Sequence, residues 1–259
     1  MLTAKEQEYL NEIIKKVYTA PRKEVTGHFD LQKYIGTKYE VIGLSVPQQQ
    51  KLFKSGYSFS ELPIADQLMI WDMAWENSDI FEVLSQCLYF FDLHYKKFDS
   101  LKLWKLLKTW VKKIDNWANS DDLSSVYARL LAAHPDVIYK EMVKWNTSKN
   151  PWERRQSLVS MLLYVKRQKH SVPLNWMLPL IEARLNDEDY FVQKGVGWAL
   201  RETGVVYPAE TMKFLIQHLA RIHPAAYTAA VEKLDVNTKN KFKEMRRKSR
   251  SKRIINTSS

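Results

Sequence analysis

Apolar residues recur at steps of three and four over most of the chain, and no stretch shows the strict alternation of a strand. YLNEIIKKVY, LPIADQLMIWDMAW, IFEVLSQCLYFF, LWKLLKTWVKKI, LSSVYARLLAAH, VIYKEMVKW, RRQSLVSMLLYV, WMLPLIEARL, VQKGVGWALRE and AETMKFLIQHLARI each place one apolar stripe on a helix. Pro135, Pro151, Pro208 and Pro224 sit where helices should start, since a first-turn residue loses nothing by lacking an N–H. Only seven glycines interrupt the pattern. The pattern predicts an all-α fold.

The helix starts also repeat. NSDIFEVLSQCLYFF from Asn77, NSDDLSSVYARLL from Asn119, NPWERRQSLVSMLLYV from Asn150 and EDYFVQKGVGWAL from Glu188 each lead from a polar turn into an apolar helix. Stacked, they put Glu82, Asp121, Arg155 and Gln193 in comparable first-turn places, at spacings of 39, 34 and 38 residues. HPDVIYKEM and HPAAYTAAV repeat a second kind of start. Such a period fits paired-helix units of the HEAT-like class, in which each pair covers its neighbour's apolar face. The expectation is a curved solenoid over residues 1–238 with a concave wall.

Charge changes the picture at the C-terminus. The chain of 259 residues carries a net +11, but residues 239–253 alone hold nine Lys or Arg against Glu244. Because the RRKSRSKR run has almost no apolar residue to bury, residues 239–259 are expected to be a disordered basic tail, which either adds non-specific attraction to a polyanion or only keeps the chain in solution. The remaining body is banded, with +6 over 96–113, −3 over 114–138 and +6 over 139–170. Two basic belts thus flank a short acidic segment that contains Asp121; they suit either solvated helix faces or an anionic partner. One cysteine, no apolar run near the roughly 18 residues of a bilayer span, and an N-terminus without a signal-peptide core point to a soluble protein of a reducing, cytoplasmic compartment.

Candidate chemistry is sparse. The six histidines show no metal-ligand spacing, Cys87 has no evident dyad partner, and phosphate-loop, dinucleotide and nucleophile-elbow signatures are absent. No metal and no cofactor are expected. Asp121 reads in two ways. After Ser120 it suits a helix cap and dipole, whereas between the basic belts it could do electrostatic work. Trp117, Trp152 and Trp198 read first as core. The two glycines of GVGWAL mark a close approach by a backbone or a ligand.

These residues resemble a known family. Trp117 four places before Asp121, the Trp152-Glu-Arg-Arg155 start, Gly197-Trp198-Ala-Leu-Arg201-Glu202, and Tyr34 followed by IGTKYEVIGLSVP are similar to the AlkD-type DNA alkylation repair glycosylases, over roughly residues 30–235. The chain departs from that pattern at Gln50, Ile80 and Ala118. The resemblance implies a nucleoid-associated protein acting on duplex DNA with alkylated purines, and an open groove for duplex DNA suggests a monomer. It implies hydrolysis of the N-glycosidic bond of cationic N3- or N7-alkylpurines without base flipping, as a step of base excision repair. Asp121 would offset positive charge on the sugar, with Trp117 and Trp198 bracketing the deoxyribose. Arg155, Trp152, Arg201 and Tyr34 would contact DNA. The alternative is a helical-repeat scaffold that binds DNA or protein without catalysis.

Overall fold

The computed structural model describes residues 2–22, 30–162 and 172–257, with side chains through Lys248. Among the described residues the chain is all-helical, with one isolated parallel bridge between Glu40 and Ile80. In order the helices are α1 (Ala4–Thr19), α2 (Leu31–Ile35), α3 (Val46–Lys54), α4 (Ile64–Asn77), α5 (Phe81–His94), α6 (Ser100–Leu107) and α7 (Trp117–Ala133). They continue with α8 (Pro135–Asn146), α9 (Pro151–Val159), α10 (Leu174–Ala183), α11 (Tyr190–Val206), α12 (Pro208–His218), α13 (Pro224–Ala230) and α14 (Val236–Thr257). Pro135, Pro151, Pro208 and Pro224 are each the first residue of a helix, as their fixed φ favours. The chain divides into two compact units, Met1–Leu130 and Leu131–Ser259.

In the first unit, α1, α3, α4 and α5 pack on one another around an aromatic core. Trp75 and Trp110 stack at 4.2 Å, and Phe91 meets Trp110 edge-on at 4.9 Å. That stack explains one departure from the periodic pattern. LWKLLKTWVKKI does not continue as one helix; α6 ends at Leu107 and a 3₁₀ turn, Trp110–Lys113, swings Trp110 onto Trp75. The approach to the turn is held twice: Tyr127 donates to the Leu107 carbonyl, and the Trp110 indole donates to Asp72 at 2.7 Å. Cys87 is fully buried here, and desolvation pushes its thiol up, away from the reactive thiolate.

In the second unit, α9, α11 and α13 pack each on the next, with α8, α10 and α12 alongside, an order that fits a helical repeat. Of RRQSLVSMLLYV, α9 takes residues through Val159, and the part beyond Leu162 lies outside the described residues. The α11–α13 crossing is the close approach signalled by GVGWAL. A Cβ at Gly197 would lie 2.4 Å from the Ala226 carbonyl oxygen and 2.7 Å from the Ala229 Cβ. Gly195 instead makes room for Arg155, whose Cγ and Nη1 would both stand 3.4 Å from an added Cβ. Gly197→Ala should therefore cost about 1–3 kcal/mol through displaced backbone, read as a lower denaturant midpoint at constant slope. An unchanged midpoint would mean that the crossing is looser than this.

The basic C-terminal segment differs from the expected disordered tail. Its backbone is helical through Thr257, and the boundary drawn at residue 238 falls inside α14. Phe242 and Arg246 are both buried on the second unit, so one aromatic ring and one guanidinium supply a docking that composition does not reveal.

Candidate active site

α7 starts earlier than the sequence suggested. Asn116, not Ser120, caps it: the Asn116 side-chain oxygen accepts the Asn119 N–H at 2.9 Å, and its amide donates to the Asn119 side chain at 2.8 Å. Asn119 then reaches Ser85 on α5, which ties the helix start to the core. Ser120 is buried within the helix. Asp121 is consequently the fifth helical residue, beyond the turn where a carboxylate caps N–H groups. The capping that the sequence assigned to Ser120 and Asp121 thus falls to Asn116. The earlier start also sets Trp117 and Asp121 four residues apart, on one face of α7.

Trp117 has a built seat. Its indole N–H donates to the Tyr34 carbonyl at 3.1 Å, and the two rings meet edge-on at 5.5 Å. Tyr34 is 58% exposed, whereas Trp117 and Asp121 are half-buried. The segment after Tyr34 is stapled to the loop that leads into α7. The Asp115 carboxylate accepts the Thr37 hydroxyl at 2.6 Å and the Lys38 N–H at 2.7 Å, while the Tyr39 hydroxyl donates to the Lys113 carbonyl. Further along, Glu82 at the start of α5 is fully buried and accepts the N–H groups of Ile42, Gly43 and Leu44 at 3.0, 2.7 and 3.1 Å. Gly43 adopts φ +89, which a side chain would strain.

Asp122 was not singled out by the sequence, although the paired aspartates at 121–122 were visible. Its carboxyl is pushed up to about 7 by desolvation among crowded protein atoms and then by the negative charges of Asp121 and Asp92. The residue nonetheless reaches the surface, where water weakens both the desolvation and the repulsion. A carboxyl that binds its proton more tightly when folded adds stability at low pH, and that stability is lost as pH rises from about 4 through about 7. Asp122→Asn should therefore match the parent at pH 4 and melt about 2 °C higher at pH 8. A pH-independent difference would break the link to like-charge repulsion.

In the second unit, Trp152 stacks on Phe191 at 5.2 Å. Arg155 is 3% exposed and donates to the Phe191 carbonyl at 2.6 Å, bracing α9 against the start of α11. Neighbouring Arg154 forms a two-point pair with Asp187, at 2.7 and 2.9 Å. Gln193 donates to the Arg184, Leu185 and Asp187 carbonyls, a polar clamp on the preceding loop much as Glu82 is. Trp198 is half-buried on α11. Arg201, a candidate DNA contact, is engaged with Glu202 at 2.8 Å and with Glu232, in a cluster that Lys233 completes. Of the candidate residues, the first unit brings Tyr34, Trp117 and Asp121 together, and the second holds Trp152, Arg155, Trp198 and Arg201. Among the described residues no cluster of His, Cys, Asp and Glu could hold a metal ion, and no helix is long and apolar enough to cross a membrane.

The class is that of an all-helical repeat protein whose helix starts carry polar clamps and half-buried aromatic rings. A sequence profile described as DNA alkylation repair enzyme matches residues 22–234, and the chain belongs to that family. No curated protein matches it significantly. A solved structure from Enterococcus faecalis, described as a predicted DNA alkylation repair enzyme, is similar in fold with a TM-score of 0.65 and 19% identity. The match covers 80% of this chain and 93% of that one. Membership supports a role in DNA repair with DNA as the substrate.

Proposed function

We propose that the protein is a DNA glycosylase that removes cationic N3- or N7-alkylated purines from duplex DNA by hydrolysing the N-glycosidic bond, the first step of base excision repair. The observation that carries this reading is the placement of Asp121 one turn after a seated Trp117, on the same face of α7.

Breaking the bond to a positively charged base neutralises that base, so the leaving group needs no proton from the protein. What remains is the developing positive charge on the deoxyribose. A fixed carboxylate beside an aromatic face stabilises that charge more in the transition state than in the ground state. The Trp117 ring adds attraction for a cation and shields it from bulk water. The carboxylate also directs the one water whose oxygen bonds to C1′ as the C1′–N bond breaks, its proton passing to solvent and the bond pair leaving with the neutral base. Trp198 keeps the role of second indole that the family resemblance gives it. Tyr34 is the exposed aromatic beside Trp117, and Trp152 and Arg201 remain proposed contacts to DNA. Arg155 supports the site by bracing α9, since a 3% exposed guanidinium is poorly placed to grip a phosphate. Because the chemistry asks nothing of the base except its charge, the base need not leave the duplex, unlike in glycosylases that read it in a pocket. The protein is proposed to act as a monomer without metal or cofactor.

The test is release of free base from duplex DNA that contains 7-methylguanine, compared with a duplex carrying a neutral lesion. Release from the first and little from the second is expected. Binding without release from either would favour the non-catalytic scaffold.

A further inference from the structure

α14 begins at Val236, just past residue 234, at which the family match ends. Its rotation about its own axis is fixed. Phe242 and Arg246, one turn apart, are 3% and 7% exposed on the second unit. The Arg246 guanidinium lies 4.5 Å from the Tyr227 ring centroid and donates to the carbonyls of Leu219 and Ile222. Lys239 adds a bond from its ammonium to the Glu232 carbonyl at 2.8 Å.

With Phe242 and Arg246 inward, the 100° step per residue puts Lys241 and Lys248 on one flank and Lys243 and Arg247 on the other. All four are exposed; Lys248 also pairs with Glu244 at the surface. The helix thus presents two cationic stripes separated by its own width, roughly 10–12 Å. Two rows of anions at about that separation border the major groove of duplex DNA, which is about 12 Å wide. A lipid surface offers anions on one side only and takes up an apolar helix face, and here the Phe242 face is already used for docking.

We propose that α14 is a docked, rotation-locked helix that binds the phosphate backbone of duplex DNA with both flanks. The choice of duplex rests on the reading of the substrate above.

The test uses the full chain and an undamaged duplex, with affinity measured against salt concentration. Lys241→Ala/Lys243→Ala, one cation from each flank, should flatten the slope of log affinity against log salt by about 1.8, near 0.9 for each phosphate that is no longer neutralised. Lys5→Ala/Lys15→Ala, an equal charge change on exposed positions of α1, should leave the slope as it was. An unchanged slope in the α14 variant, or equal flattening in both, would overturn the proposal and leave a solvated basic helix. So would intact duplex binding with loss of binding to phosphatidylserine vesicles. Since undamaged duplex reports binding alone, this outcome is separable from the glycosylase reading, which stands or falls on free-base release.

Discussion

Asp121→Asn is expected to lower single-turnover release of 7-methylguanine by at least about 10²-fold while duplex affinity stays level or rises. The side chain keeps its size, and an amide can occupy the same place on α7. Only the negative charge goes, and with it the attraction that grows as the sugar becomes positive. Removing one preorganised electrostatic interaction of this kind costs about 10²–10³ in rate. Losing a term realised only in the transition state lowers the chemical step without weakening binding. Affinity can rise because a carboxylate near DNA phosphates repels them in the ground state. The measurement is a rapid-mixing excision time course with enzyme in excess, beside a binding titration. Unaltered single-turnover rate with much weaker binding would move Asp121 from the chemistry to the scaffold.

The helical class was legible because it is a local property: the apolar period and the four helix-initiating prolines depend on neighbours within one or two turns. The start of α7 was less legible because Asn116 and Ser120 are both good caps, four residues apart. Asn119 decides between them, since only Asn116 finds a reciprocating side chain at the third helical position. The same local ambiguity made Asp121 look like a helix-start residue. The protein partners of Arg155 and Arg201 were not legible because residue type says nothing about burial or about groups 31 or more residues away, Phe191 and Glu232. α14 looked unable to fold because hydrophobicity counts miss an arginine that stacks on an aromatic ring and satisfies carbonyls. Glu82, aligned with Asp121 in the repeat, carried no visible sign of its work, since its partners lie 38 to 40 residues earlier.

That work makes Glu82 the position where the smallest chemical change should do the most structural damage. Glu82→Gln preserves volume but turns one oxygen into a donor that faces backbone donors. At least one of the Ile42, Gly43 and Leu44 N–H groups is then left unsatisfied, at about 1–3 kcal/mol, and the others lose a charged acceptor. A total loss of about 2–4 kcal/mol is expected for Gln, and more for Ala, which orphans all three donors in a fully buried place. Against the roughly 5–15 kcal/mol that holds an ordinary domain together, the Ala variant should unfold at mild denaturant concentrations. Hydrogen exchange should quicken first at residues 42–44. If the clamp also steadies the stapled Tyr34–Tyr39 segment, the Gln variant should excise more slowly even where it is fully folded, because Trp117 leans on the Tyr34 carbonyl. Glu82→Gln with parental stability and unchanged exchange at 42–44 would show that the turn is held by its own backbone and not by the carboxylate.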